Sequence, residues 1–226
     1  MLKAVIFDMD GVLVDSEPLH YEINRILFEE KFNLKLDYEY YKQYIGSTVT
    51  FMWSKMIKDF NITAYTCEEL FSMSEVIKER LLSERGGYPE VSGAVSFVKS
   101  LSGKYKLAVA SSSSLENIQR NMKNLGLSED FEKLVSGIGM ARPKPAPDIF
   151  VKAAEELGVE PSECIVIEDS MNGSKAARAA GMACVGFINP GSGDQNLEAA
   201  DYLFESFHSI DGDFLEMVYN HHFGTP

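Results

Sequence analysis

The chain has 226 residues, of which 45% are hydrophobic and 24% are charged, a composition that is ordinary for a soluble globular protein. The formal net charge of −13 argues against a nucleic-acid partner, although a few local cations would suffice to bind a small phosphorylated molecule. No apolar run approaches the roughly 20 residues of a membrane-spanning helix, and the amino terminus lacks the layout of a signal peptide. We therefore expect a cytoplasmic protein with no membrane partner, and a monomer by default.

The first predicted strand runs directly into two aspartates. Residues 5–17 read VIFDMDGVLVDSE, so an apolar run ends at Asp8 and Asp10, and a glycine and a second apolar run follow. Two carboxylates this close repel each other, and their removal from water is costly. We expect another group, supplied by the rest of the chain or by a bound cation, to compensate for this cost.

Helical patterns alone occupy the chain from about residue 17 to 87. Apolar residues with helical spacing include Leu19 and Ile23, and Thr66 with Glu69 forms a predicted capping box for a later helix. The sequence GGYP at 86–89 then interrupts the pattern. The apolar positions predicted for the later helix are Leu70, Phe71, Val76 and Ile77.

Predicted strands and helices alternate after Pro89. The predicted strands are 107–111, 134–135, 164–168 and 183–187. The predicted helices are 92–102, one that opens with a capping box of Ser113 and Glu116 and stops near Gly126, one from Pro147 to near Gly158, and one from about 172 to Gly181. The last residues, HHFGTP, are typical of a frayed tail rather than of a metal-binding histidine pair.

This alternation predicts βαβ units, and thus an α/β fold with a parallel sheet covered by helices on both faces. The sequence VIFD has the composition of a central parallel strand, so the sheet begins near residue 3 and resumes after Pro89. We therefore expect a core built from residues 1–15 and 89–226, with an all-helical domain of residues 16–88 inserted after the first strand. The two crossing points between them would form a hinge.

Chemically active side chains follow the predicted strands at the edge where ligands bind in parallel sheets. Asp8 and Asp10 follow the first strand, Ser111 ends the strand at 107–111, and Glu168 with Asp169 ends the strand at 164–168. Acids gathered at one edge need a counter-charge, and Mg²⁺ prefers carboxylate and carbonyl oxygens. The sequence therefore predicts a magnesium site, with Asp8 and Asp169 as the natural ligands and Glu168 completing it.

A cation and a hydroxyl at the same edge would form a phosphate-binding site. Lys144 lies between two prolines in RPKPAPD, so its backbone is stiff and its position is preset. Ser111 stands at the strand tip, and its hydroxyl with the following backbone N–H groups, beginning at Ser112, can bind phosphate oxygens. Four adjacent serines leave the choice among them open, and a lone lysine is more often a solvated surface charge.

The two aspartates then take different roles. An ionised Asp8 beside Mg²⁺ can attack phosphorus and form an aspartyl-phosphate. Asp10 can lie on the leaving-group side, where it would protonate the departing alkoxide and then deprotonate the incoming water. The backbone carbonyl of Asp10 could also reach the metal.

These residues resemble the four motifs of the haloacid dehalogenase-like hydrolases. DMDGVLVDSE is similar to the first motif, VASS with Ser111 to the second, RPKPAPD with Lys144 to the third, and VIEDSMNG with Glu168 and Asp169 to the fourth. The motifs occur in order, and the resemblance spans nearly the whole chain. It implies a Rossmann-like core and a helical cap that closes over the site and excludes bulk water.

Within this family, Asp10 favours phosphatases and phosphomutases, because the dehalogenases lack it and cation-pumping relatives usually carry threonine there. The chain resembles both β-phosphoglucomutase-like proteins and sugar-phosphate phosphatases. His20 matches a histidine that the mutases keep just past the first motif, which makes it a candidate substrate-binding residue. The alternative is a solvent-facing histidine on an amphipathic helix.

One departure argues against the mutase. A cap loop of the mutases similar to YIGSTVTFMW carries an arginine for the second phosphate, whereas this chain has Thr48-Val49-Thr50 and no basic residue between Lys42 and Lys55. We therefore expect a Mg²⁺-dependent phosphatase that acts on a small phosphorylated metabolite, such as a sugar phosphate. A β-phosphoglucomutase converting glucose 1-phosphate to glucose 6-phosphate is the alternative, if Lys78, Arg80 or Arg85 supplies the charge. A non-catalytic phosphate-binding protein is a third reading.

Overall fold

A computed structural model of the chain describes residues 1–45, 47, 49–193 and 195–224. Contacts divide the chain into two compact units, one formed by Met1–Asp15 with Pro89–Pro226 and the other by Ser16–Tyr88. In the described residues, no helix has both the length and the apolar character that crossing a membrane requires. Thr48 belongs to the segment between Lys42 and Lys55 in which the sequence has no basic residue, and it lies outside the described residues.

The first unit contains a parallel sheet. Its six strands within the described residues are β1 (Ala4–Phe7), β2 (Lys106–Ser111), β3 (Lys133–Ser136), β4 (Cys164–Glu168), β5 (Ala183–Phe187) and β6 (Tyr202–Phe204). The strands lie in the order β3-β2-β1-β4-β5-β6, and every neighbouring pair is parallel. The first strand in the chain therefore lies inside the sheet, as its wholly buried sequence AVIF predicts.

The second unit is helical. Its helices are α1 (Glu17–Phe32), α2 (Tyr38–Tyr41), α3 (Val49–Asp59) and α4 (Cys67–Arg85), with a 3₁₀ turn at Lys42–Tyr44. The predicted capping box at the start of α4 is confirmed, since the Thr66 hydroxyl accepts from Glu69 N and the Glu69 carboxylate accepts from Thr66 N. An aromatic cluster forms the interior, with Phe28 stacked on Trp53 at 6.3 Å and edge-on to Phe60 at 4.9 Å.

Helices flank the sheet of the first unit on both faces. They are α5 (Ala94–Leu101), α6 (Leu115–Asn124), α7 (Asp148–Leu157), α8 (Met171–Ala179) and α9 (Gly212–Phe223). One face of the sheet packs on α7 and α8, and Ile6 and Val166 lie in that cluster with Phe150 and Ala177. Phe7 points to the other face, where its ring meets Phe97 of α5 at 6.3 Å between centroids. The α/β fold class is thus confirmed.

Several sequence predictions differ from the structure in detail. In α4, Leu70 and Ile77 are buried as predicted, but Phe71 and Val76 are exposed. The serine that caps α6 is Ser114, whose side chain accepts from Asn117 N, and the predicted cap residue Ser113 has another partner.

The carboxyl-terminal segment also differs from its prediction. The strand β6 and the helix α9 were not predicted, and His221 and His222 belong to α9 rather than to a frayed tail. The ring of His222 holds α9 to the loop before β6, because its Nδ1 lies 2.7 Å from Asp201 Oδ1. Thr225 and Pro226 lie outside the described residues.

Candidate active site

The sheet order brings the predicted strand-end residues together. β1 lies between β2 and β4, so the chain connections run in opposite directions from it, which is the kind of position where parallel sheets bind ligands. Asp8 directly follows β1, Ser111 is the last residue of β2, and Glu168 is the last residue of β4. The carboxyl ends of three adjacent strands thus supply an acid, a hydroxyl and a second acid.

Lys144 joins two of these acids. Its Nζ lies 2.6 Å from Asp8 Oδ1 and 2.7 Å from Glu168 Oε1, and its side chain is only 9% exposed. The ammonium group also lies over the ring of Phe150, with Nζ at 4.8 Å from the centroid. The loop that carries Lys144 contains a cis peptide bond between Lys144 and Pro145. Lys144 is therefore an interior cation of the site and not a solvated surface charge.

Glu168 uses both of its carboxylate oxygens within the protein. Oε1 accepts from Lys144, and Oε2 accepts from the backbone N of Ser170 at 2.7 Å and from its hydroxyl at 2.8 Å. Gly173 in α8 makes room for this carboxylate, because a Cβ at that position would overlap it. This geometry orients Lys144, and of the predicted metal ligands it favours Glu168 least.

Asp169 lies in a second close-packed part of the site. It is 6% exposed, and the Ser192 hydroxyl donates a hydrogen bond to its Oδ2. Gly11 approaches the same oxygen with φ +80°, and a Cβ on Gly11 would overlap it. Asn189 holds the Gly11 loop, since its Nδ2 donates to the Gly11 carbonyl at 2.7 Å. Sequence reasoning missed Ser192 and Asn189, although both follow the strand β5.

Asp10 faces two serine hydroxyls. Ser111 Oγ donates to Asp10 Oδ2 at 3.3 Å, and Ser113 Oγ donates to the same oxygen at 3.2 Å. Ser111 is 1% exposed, whereas Ser112 next to it is exposed. Sequence reasoning missed Ser113 as a site residue because its pattern also fits a helix cap.

His20 belongs to α1 of the helical unit. Its ring lies 6.3 Å from that of Tyr88, and it lines a cavity of about 100 Å³ enclosed by helices of that unit. The cavity wall also carries Glu75 and Lys78, and Lys78 Nζ bonds both oxygens of Glu75, at 3.0 and 2.8 Å. The substrate-binding role of His20 stays a prediction.

Burial and mutual repulsion perturb the acids of the site. Burial raises the pKa of Asp8 to about 7, with further raising by Glu168 and Asp10, while Lys144 opposes the shift. Burial also raises the pKa of Asp169, again with help from Glu168 and Asp8. For Lys144, burial acts to lower the pKa, but the attraction of Asp8 and Glu168 outweighs it and the pKa is raised. One lysine therefore does not neutralise this cluster of acids.

The carboxylate oxygens of the site are of the chemical type that a hard divalent cation prefers. Within the described residues, no group of three or more His, Cys, Asp or Glu side chains has the arrangement of a metal site. Asp8 and Asp169 are nevertheless buried carboxylates with too little positive charge around them. Excess buried anionic oxygen of this kind suits Mg²⁺ better than it suits a softer metal.

Known proteins resemble this chain over most of its length. A family model described as haloacid dehalogenase-like hydrolase matches residues 2–181. The phosphorylated carbohydrates phosphatase of Thermotoga maritima is 33% identical over 189 residues, which cover 80% of this chain and 82% of that protein. The β-phosphoglucomutase of Bacillus subtilis is 31% identical over 190 residues, which cover 82% of this chain and 83% of that protein.

A solved structure resembles the fold as well. The crystal structure of a mutant of CbbY from Rhodobacter sphaeroides, in complex with xylulose-1,5-bisphosphate, is similar with a TM-score of 0.73 and 25% identity. The similarity covers 92% of this chain and 95% of that one. From the matching family model, these relatives and the four motifs together, we conclude that the chain belongs to the family of haloacid dehalogenase-like hydrolases.

Proposed function

We propose that this enzyme is a Mg²⁺-dependent phosphatase that hydrolyses a small sugar phosphate through an aspartyl-phosphate on Asp8. One observation carries the proposal: Lys144 holds Asp8 by Oδ1 alone, at 2.6 Å. The other oxygen of this buried carboxylate is left for attack on phosphorus, while a second carboxylate, Asp10, stands two residues further along. A nucleophile with a fixed orientation and a neighbouring acid are what two-step phosphoryl transfer requires.

The reaction follows in two steps. Asp8 Oδ2 attacks phosphorus, and Asp10 gives its proton to the departing alkoxide oxygen of the sugar. Asp10, now ionised, then takes a proton from a water molecule, whose oxygen attacks the phosphorus and releases inorganic phosphate from Asp8. Lys144, the Ser111 hydroxyl and the backbone N–H of Ser112 would bind the phosphate oxygens, which carry the negative charge throughout.

Asp8, Asp169 and the backbone carbonyl of Asp10 would hold Mg²⁺. When bound, the ion supplies the positive charge that the buried acids lack and counters the charge of the phosphate group. Glu168 then serves to orient Lys144, since both of its oxygens already accept hydrogen bonds. Ligation by Glu168 itself stays a prediction, as do the cytoplasmic location and the monomeric state.

We propose residues 16–88 as the cap domain of a core formed by 1–15 and 89–226. The named activities of the relatives, a phosphorylated carbohydrates phosphatase and a β-phosphoglucomutase, support a sugar phosphate as substrate. The basic side chains of residues 16–88 that could bind a second phosphate have partners already, and this favours hydrolysis over the mutase reaction. Each of the three candidates pairs with a carboxylate of its own unit: Lys78 with Glu75 at 2.8 Å, Arg80 with Glu30 at 3.3 Å and Arg85 with Glu22 at 2.7 Å. A second phosphate would have to displace these acids.

Phosphate release tests the proposal directly. A panel of glucose 1-phosphate, glucose 6-phosphate, fructose 1-phosphate, fructose 6-phosphate and ribose 5-phosphate is incubated with the enzyme and Mg²⁺, and free phosphate is measured. We expect release from at least one sugar, loss of release with EDTA, and none with Asp8→Asn. Asp213→Asn, a change of an exposed aspartate in α9, is the matched control and should retain the full rate.

The alternative functions give different results in the same experiment. A β-phosphoglucomutase would convert β-glucose 1-phosphate to glucose 6-phosphate with little free phosphate. A non-catalytic binding protein would bind sugar phosphates without turnover, and Asp8→Asn would change no rate. Phosphate release that persists in Asp8→Asn would exclude the covalent mechanism while leaving a phosphatase.

A further inference from the structure

Asp10, the proposed general acid, is held through one of its two oxygens. The hydroxyls of Ser111 and Ser113 both donate to Oδ2, at 3.3 and 3.2 Å. Both distances exceed the usual upper limit of about 3.0 Å for O–H···O hydrogen bonds, and such contacts in a catalytic site often shorten only when substrate binds. Ser111 Oγ also accepts from the backbone N of Ser113 at 3.1 Å, so its single proton is directed to Asp10.

Ser113 is itself fixed by the adjacent strand. The hydroxyl of Ser136, the last residue of β3, donates to the Ser113 carbonyl at 2.7 Å and accepts from Ile138 N at 3.1 Å. Ser136 is in register with Ser111 across the β2–β3 ladder. The residues at two strand ends, Ser111 and Ser136, therefore hold the backbone of Ser113, and from this fixed backbone its hydroxyl reaches the carboxylate of Asp10.

We propose that Ser113 is a positioning residue that keeps Asp10 ready to protonate the leaving group. This inference rests on the proposed function. Ser111 is needed by the phosphate group when substrate binds, and Ser113 then remains as the hydroxyl that holds Asp10 Oδ2. With a donor on Oδ2, the acid proton of Asp10 belongs on Oδ1. As the bond between phosphorus and the sugar oxygen breaks and Asp8 Oδ2 bonds to phosphorus, that proton passes from Oδ1 to the sugar oxygen.

Two substrates whose leaving groups differ in basicity can distinguish a residue that positions the acid from one with a general structural role. A sugar alkoxide needs protonation as it leaves, whereas the p-nitrophenolate ion is stable and leaves without it. We therefore expect Ser113→Ala to lower kcat/KM, which reports the steps up to departure of the leaving group, about tenfold or more for the sugar phosphate hydrolysed fastest in the panel, a part of the full general-acid contribution. With p-nitrophenyl phosphate, kcat/KM should fall less than about threefold, because the later attack by water, in which Asp10 acts as base for both substrates, does not enter kcat/KM.

Four further variants make the test more specific. Ser113→Thr keeps a hydroxyl and should restore most of the sugar-phosphate rate. Ser100→Ala, which removes a hydroxyl that donates to the Phe97 carbonyl in α5, is the matched control and should change neither rate. In an Asp10→Ala background, Ser113→Ala should cause no additional loss, because residues that act through one another are not additive.

The outcomes distinguish this inference from the proposed function. Equal losses of kcat/KM for both substrates in Ser113→Ala, or a full additional loss in the Asp10→Ala background, would overturn the positioning role while the phosphatase stands. A wild-type enzyme that released phosphate from neither substrate would overturn both. If Ser113→Ala does not fold, Ser136→Ala gives the second measurement, since it frees the Ser113 carbonyl and should produce a smaller loss that is again confined to the sugar phosphate.

Discussion

Asp8 presents its two carboxylate oxygens to different surroundings. Lys144 Nζ lies against Oδ1 and also against Glu168, and all three side chains are buried. Charges removed from water in this way are stabilised only by one another, so the loss of one partner leaves the others uncompensated. The same lysine thus supports the fold locally and fixes the direction of the proposed nucleophile.

Replacement of Lys144 tests this double role. Lys144→Met should lower kcat by about a hundredfold or more, because an oriented cation for the phosphate is lost. It should also lower the free energy of unfolding by about 3 kcal/mol, because two buried carboxylates lose their partner. Activity assays and urea denaturation measure the two effects.

The matched control for this lysine is Lys152→Met. Lys152 is 54% exposed and lies 3.6 Å from Glu156 on the surface of α7. We expect a change within about 0.5 kcal/mol in stability and no change in rate. A Lys144→Met enzyme as active as this control would contradict the assignment of Lys144.

Gly11 limits what can stand beside Asp169. Gly11→Ala adds a Cβ that overlaps Asp169 Oδ2 at a backbone φ of +80°, so we expect Asp169 to be displaced. The proposed Mg²⁺ site would then weaken, and the Mg²⁺ concentration for half-maximal activity should rise about tenfold or more.

Gly181→Ala is the matched control for Gly11→Ala. Gly181 has φ +74° with nothing within 4 Å of its Cβ position. Like Gly11→Ala, Gly181→Ala should lower the free energy of unfolding by about 1 kcal/mol because of backbone strain, but it should keep the Mg²⁺ dependence of the wild type. A normal Mg²⁺ dependence in Gly11→Ala would argue against Asp169 as a ligand.

Strand periodicity explains which site residues could be predicted. Asp8, Ser111 and Glu168 were found because buried parallel strands have a clear sequence pattern and their carboxyl ends must meet. The hydrogen bonds of Ser113 and Ser192 could not be found this way, because both residues lie in turns whose course depends on tertiary packing. The pairing of Lys144 with Glu168 joins a loop to the end of β4, 24 residues further along the chain, and no local pattern reports it.

Helix caps were predictable where the pattern was unambiguous. Thr66 and Glu69 stand alone at the start of α4, whereas α6 follows four serines, each of which is chemically able to cap it. Ser114 takes the cap, and this leaves Ser113 for Asp10. The strand β6 has only three residues, with the burial pattern of an edge, which is too short for a periodic signal.

The cap of α4 contributes measurably to the helical unit. Thr66→Ala removes the hydroxyl that accepts from Glu69 N at 3.2 Å and should cost about 1 kcal/mol of stability. The matched control is Thr63→Ala, a change of an exposed threonine that precedes the helix, for which we expect almost no effect. Urea denaturation followed by circular dichroism compares them, and equal stability of the two variants would contradict the capping role.

At the scale of the whole molecule, the stability of the fold and the proposed metal binding depend on the same acids. The folded-state pKa of Asp8, about 7, lies above its ordinary value, and that of Asp169 is raised as well. Protonation of these groups therefore stabilises the metal-free fold at low pH, and this contribution is lost as the pH rises toward the folded pKa. Mg²⁺ binds the ionised carboxylates, so the stabilisation of the fold by Mg²⁺ must grow as the pH rises over the same range.

Thermal unfolding with and without Mg²⁺ measures this linkage. We expect Mg²⁺ to raise Tm clearly at about pH 8 and little at about pH 5, where protons occupy the acids. Asp169→Asn should reduce the rise in Tm at the higher pH, and Asp213→Asn should leave it unchanged. A Mg²⁺ effect of equal size at both pH values would mean that the ion binds elsewhere.

The interior position of β1 has a consequence for how the protein is made. Ala4 is in register with Lys106 on one side and with Cys164 on the other, so β1 is synthesised roughly a hundred residues before either of its partners. Until then its apolar residues have no sheet to join, and contacts of such long sequence separation slow folding. During translation the apolar residues of β1 therefore stay unpaired until β2 is complete, and for that interval the segment is exposed to aggregation.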